Sequence, residues 1–210
     1  MLAVLVLGVL ALPIVRGQVA RAPSPSGNPR PFERIESEPS SPAELARMHL
    51  LSGNRELRRA GKLTRRLPRM NESKRPAAQA RLQQAYDQAT REFYTAIQLS
   101  PNLSEAYRGL GAVMLSQEYF KDALKIYADG LRIAPQDDDL FRGWTASLLA
   151  LDMIDDTIHG YSTLAETNPR RARILMEQMR ASLQTRLESP DGFDPSRTES
   201  LARWLAEQGG

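Results

Sequence analysis

Apolar positions along this chain recur mostly at helical spacing. From Ser41-Pro42 onward, Leu45, Met48 and Leu51 fall on one face, with Ser41 as N-cap and Pro42 in the first turn. Ser52-Gly53-Asn54 interrupts the pattern and predicts a stop, with a second helix from Arg55 to about Leu67. In that second helix Leu57, Ala60, Leu63 and Leu67 make the apolar face. Pro68 and Pro76 bracket a short loop, and 77–99 reads as one long helix.

A longer period lies above the helical one. Pro101, Pro135 and Pro169 stand 34 residues apart, each after an apolar helix end. Eight residues before them come Phe93, Tyr127 and Tyr161; five before, Ala96, Gly130 and Leu164; twelve before, Ala89, Ala123 and Thr157. In the preceding helices Tyr107 aligns with Phe141, Leu110 with Trp144 and Gly111 with Thr145. Small residues let antiparallel helices approach, an aromatic fills the space to the next pair, and proline sets the turn. Residues 172–188 read as the first helix of an unfinished repeat. Pro190-Asp191-Gly192 then forms a turn, and Asp194-Pro195 opens a last helix. Its Leu201, Trp204 and Leu205 offer an apolar face to close the stack.

This pattern resembles the tetratricopeptide repeat family. Residues 104–137 carry it most fully, through Tyr107, Leu110, Gly111, Ala123, Tyr127, Gly130 and Pro135. Residues 138–171 carry it through Phe141, Trp144, Leu148, Tyr161 and Pro169, and 70–103 only in their second half. The resemblance covers about half the chain. It implies an all-α stack of helical hairpins with a C-terminal capping helix, and a function as a protein-binding scaffold. It also implies a concave groove lined by the first helix of each pair. By position that groove presents Glu105, Arg108, Ala112 and Leu115, then Asp139, Arg142, Ala146 and Leu149, then Met176 and Arg180. Arg108 and Arg142 stand where chaperone-binding relatives keep a basic clamp residue. Ala112 and Ala146 replace the asparagine that accompanies it, which leaves an arginine fork for an acidic peptide.

The ends and the charge refine this picture. Met1 to Val15 is almost wholly apolar, too short to span a bilayer comfortably and suited to the core of a secretory signal. Val15 and Gly17 would fit a cleavage site before Gln18; an uncleaved anchor is the rival reading, and no basic residue precedes the apolar run. Residues 18–42 form a Pro- and Ser-rich linker, 43–76 the N-terminal helices, 77–188 the repeats and 189–210 the cap. An exported protein, periplasmic or held at a membrane, is expected, possible work being the assembly of an envelope complex; a cytoplasmic co-chaperone would need a misread N-terminus. The net charge of +3 hides a contrast: 55–75 carry +7 and 76–169 carry −6. Arg55, Arg58, Arg59, Lys62, Arg65, Arg66 and Arg69 form a basic helical surface, suited to an anionic membrane or an acidic partner. No aromatic residues interleave them, so nucleic acid is not expected.

Catalytic chemistry finds little footing. With no cysteine, thiolate ligands and nucleophiles are excluded. Asp155 and His159 share a helix face but make at most half a metal site, and Asp137-Asp138-Asp139 reads as a helix start rather than a calcium loop. There is no phosphate-binding glycine loop and no nucleophile elbow. No enzyme activity, cofactor, metal or small-molecule substrate is expected.

Overall fold

A computed structural model of the chain describes residues 41–208. The expectations for 1–17 and for most of the linker lie outside the described residues. The regular structure among the described residues is all helical, eight α-helices and two short 3-10 turns. The helices are α1 (Pro42–Arg66), α2 (Arg75–Leu99), α3 (Ser104–Ser116), α4 (Phe120–Ile133), α5 (Asp138–Ala150), α6 (Ile154–Thr167), α7 (Pro169–Glu188) and α8 (Pro195–Glu207).

The helix starts follow their caps. Ser41 Oγ accepts from Glu44 N at 3.2 Å, so Pro42 belongs to α1 rather than to the linker. Asp137 accepts from Asp139 N and Leu140 N, and Asp194 accepts from Ser196 N at 2.8 Å. The acidic run therefore caps α5. Pro169 does not merely end α6. It is the first residue of α7, with Asn168 capping Arg171 N, so the last odd helix begins three residues earlier than expected.

The expected break at Ser52-Gly53-Asn54 is absent. α1 runs unbroken for 25 residues and forms a long hairpin with α2, also 25 residues. Gly53 serves close packing instead of a turn. A Cβ there would lie 2.8 Å from the Phe93 ring, so only glycine lets that ring sit against the helix. The same device recurs. Phe93 is held between Gly53 of α1 and Gly109 of α3, and Tyr127 between Gly111 of α3 and Gly143 of α5. Both rings are buried, and Ala89, Ala96 and Ala123 beside them are fully buried. A mid-helix glycine costs about 0.5–1 kcal/mol. Burial of an aromatic side chain, worth roughly 1.5–3 kcal/mol, more than offsets it.

Successive helices pack in sequence, and the odd ones also pack in a row: α1 on α3, α3 on α5, α5 on α7. The 34-residue period is also written in the backbone. Among the described non-glycine residues only Glu118 and Asp152 have positive φ, at 62° and 60°, each at the turn inside a hairpin. This is a helical-hairpin, repeat-like fold. Its core has two parts, one around Phe93, Leu110, Val113, Tyr127 and Leu140, the other around Phe141, Ile154, Leu175, Met179 and Leu201.

The third aromatic breaks the pattern. Thr145 stands where Gly111 stood one repeat earlier, and Glu177 where Gly143 did. Tyr161 has no glycine slot and packs edge-on against Trp204 of α8, centroids 5.0 Å apart. A cavity of about 410 Å³ opens beside it, lined by Phe141, Trp144, Leu148, Gly160 and Leu164 among others. α8 closes the stack with Leu201 and Leu205 buried on α6 and α7.

Candidate interaction surfaces

The row of odd helices carries the positions expected to line a groove. Ala146 and Leu149 of α5 line a depression of about 290 Å³, facing Gln178, Ala181, Ser182 and Thr185 of α7, with Phe193 at its end. Small side chains at Ala146, Ala150 and Ala181 make the hollow. Leu149 contributes only an edge, because it is buried in the second core cluster. Leu115 likewise packs partly against the first cluster. Neither is a protruding groove residue.

The arginines expected to form a cationic fork are already engaged. Arg108 pairs with Asp139 at 2.9 Å and with Asp137 at 3.8 Å, and Arg142 lies 3.6 Å from Glu177. Each pair joins one odd helix to the next or to its cap, so the pairs act as rungs between repeats. Their side chains remain 40–46% exposed on the arginine side, and such rungs are worth about 0–1 kcal/mol each. Both arginines of the expected fork thus already face carboxylates, in weak and partly exposed pairs. Arg180 is elsewhere: it lines a separate hollow between α7 and α8 with Leu183, Leu187 and Leu205.

An ionic knot behind the depression was invisible in the sequence. Arg186 is buried, its side chain fully so. Its guanidinium bonds to Asp152 and to Leu149 O, the latter at 2.9 Å, and lies over the Phe193 ring at 4.3 Å. Asp152 also accepts from Asp194 N, while Arg197 donates to Asp152 O at 2.6 Å. One turn residue therefore ties the α5–α6 hairpin to α7 and to the cap of α8. Arg186, one of five arginines in α7 and in its last turn, and an aspartate at a turn 34 residues before it carry no motif that would pair them in advance.

The basic residues form the second surface. Arg55, Arg58, Arg59, Lys62, Arg65, Arg66 and Arg69 are all exposed. The apolar face of the same helix is not free: Ala60 is fully buried, and Leu57 and Leu63 are partly buried on the hairpin. α2 adds a cation that sequence reading left out. Arg81 joins Arg55, Arg58, Arg59, Lys62 and Arg66 around a groove of about 380 Å³, with Leu63 at its base. Hairpin pairing brings it there, and no spacing rule within α1 could.

Elsewhere on α1, His49 Nδ1 lies 2.7 Å from Glu92 Oε2 across the hairpin. Burial pushes the Glu92 carboxyl up, but hydrogen bonds from His49 and Gln88 outweigh it and leave the pKa below its ordinary value. Among the described residues no three His, Cys, Asp or Glu side chains gather to hold a metal ion, and no helix is long and apolar enough to cross a membrane. No protein-family model, curated protein or solved structure matches the chain.

Proposed function

We propose that the chain is a tetratricopeptide-type scaffold that holds a protein or peptide partner on the face of its odd helices. The observation that carries this reading is the depression between α5 and α7, floored by small side chains and rimmed by uncharged polar ones. Ala146, Ala150 and Ala181 leave room for apolar side chains of a partner. Gln178, Ser182 and Thr185 can meet its polar groups. The 34-residue recurrence of glycines, aromatics and turn residues supports the family assignment. Work as an adaptor in an exported complex of the cell envelope belongs to the same proposal, and it rests on the apolar N-terminal segment of the sequence. The role is binding, not catalysis.

Filling the hollow tests it. Ala181 is exposed, and Ala146 is half-buried at the groove edge. The double variant Ala146→Trp with Ala181→Trp should keep its helical circular dichroism and lose partners recovered by the parent from native extract. Recovery of the same partners in the same amounts would move the binding surface off the odd-helix face.

A further inference from the structure

The basic groove on the α1–α2 hairpin is separate from the odd-helix depression, and its charge is unbalanced. Six cations line it, and Glu56 is the one carboxylate that pairs with any of them among the described residues, at 3.6 Å from Arg55 and 3.3 Å from Arg59. Among the described residues, Arg58, Lys62, Arg66 and Arg81 converge with no carboxylate partner. Like charges held this close destabilise the fold by mutual repulsion unless an anion settles among them.

A second observation says what kind of anion. Met48, Leu51, Arg55, Arg58, Lys62 and Arg65 follow steps of three, four, three, four and three, so they form one stripe along α1. All six are exposed, Met48 at 54% and Leu51 at 66%. The stripe runs for about 26 Å at the helical rise. Large exposed apolar side chains in line with cations suit a surface that is anionic outside and oily just beneath. A lipid surface offers both layers along the whole length of the stripe, the anionic headgroups for the cations and the acyl boundary for Met48 and Leu51.

We propose that this face docks the protein peripherally on an anionic phospholipid surface, with a headgroup phosphate in the Arg58–Lys62–Arg66–Arg81 groove and Met48 and Leu51 entering the interface. The helix does not lie with its Leu57–Leu63 face in the bilayer, because α2 already covers that face. α1 and α2 dock as a folded pair, which is why Arg81 belongs to the site. A cation near such a surface contributes about fivefold in partitioning, and the attraction weakens as salt rises.

Vesicle co-sedimentation of the full chain tests this, with phosphatidylglycerol and phosphatidylcholine in equal parts against phosphatidylcholine alone. The neutral vesicles measure whatever the apolar N-terminus contributes. The expected result is excess binding to the anionic vesicles that falls with sodium chloride. Arg81→Glu removes one cation and adds one anion, so it should cut that excess by about 25-fold. Arg173→Glu, on exposed α7 surface with the same change in net charge, should cut it less than about threefold. Met48→Ser with Leu51→Ser should lower vesicle binding and leave binding to soluble polyglutamate unchanged. Circular dichroism checks that the variants are folded; should Arg81→Glu be unfolded, Lys62→Glu carries the same expectation. Equal binding to both vesicle types, or equal losses from Arg81→Glu and Arg173→Glu, would overturn the proposal. Indifference to Met48 and Leu51 would assign the groove to an acidic protein instead. Arg81-dependent binding of pyrophosphate to the lipid-free protein, with vesicle binding unchanged in Arg81→Glu, would assign the groove to a free phosphate compound.

Discussion

Replacing Gly143 by alanine puts two opposed effects in competition, and the structure decides between them. In a free helix interior the change gains about 1 kcal/mol, because alanine loses less backbone freedom than glycine. In α5 the new Cβ would stand 2.1 Å from Tyr127 Cζ and 2.2 Å from Cε1, where ordinary carbon contacts lie at about 3.5–4.0 Å. The ring cannot retreat, since Gly111 holds its other face at a similar approach. It must leave the slot, which forfeits much of its burial. Overpacking alone costs about 1–3 kcal/mol, and loss of a buried aromatic about 3–5. The net expectation for Gly143→Ala is destabilisation by about 2–4 kcal/mol, a fall in Tm of roughly 5–15 °C for a domain of this size. Gly160 in α6 is the internal control: a Cβ there meets nothing within 4 Å, so Gly160→Ala should raise Tm by about 2–4 °C. In a Tyr127→Ala background the clash is gone, and Gly143→Ala should become neutral or mildly stabilising. Thermal melts of the four proteins in that cycle give the coupling directly. A Gly143→Ala protein that melts at or above the parent temperature would refute the slot.

Asp152→Ala leaves the buried Arg186 guanidinium without its carboxylate and should cost about 3–5 kcal/mol in urea unfolding, whereas a merely solvated turn aspartate would cost under about 0.5. Burial pushes the Tyr127 phenol up from 10.0 to about 12, the nearby Arg108 charge opposing it only in part. Its folded value is raised, so its stabilisation is complete below pH 10.0 and is lost as pH rises to about 12, on the order of 2–3 kcal/mol. Tyr127→Phe should flatten that alkaline decline in a pH series of melts. Glu92 is the opposite case: its folded value is lowered, so its contribution is present above 4.5 and is lost as pH falls through the lower folded value. His49→Ala removes the main opposing hydrogen bond, so parent and variant stabilities should converge in acid.

Much of the helical order was legible because proline, glycine and capping residues act locally. Ser41, Asp137 and Asp194 mark helix starts whatever packs around them, and the 34-residue spacing survives loss of detail elsewhere. Gly53 shows the limit. A glycine between Ser and Asn reads as a stop, yet the same residue type also admits a ring to a helix, and only the position of Phe93, 40 residues on, distinguishes the two uses. Gly109 and Gly143, also 34 apart, carried the same information and could have been read with Gly111. The groove arginines were placed on the odd helices by register, but their partners Asp137, Asp139 and Glu177 come from the next turn of the stack. Arg81 and Arg186 depend on long-range pairing in the same way, so no spacing within their own helices points to their roles.

The claim that the odd-helix face holds a partner is tested most directly by photo-crosslinking in native extract. A benzophenone amino acid placed at Ala181 in the depression, and in a separate protein at exposed Lys121 on α4, samples the two faces of the stack. The account predicts a discrete covalent adduct from Ala181, lost when Ala146 is also changed to Trp, and none of that size from Lys121. The same adduct from Lys121, or none from Ala181 while the protein is in complex, would contradict it.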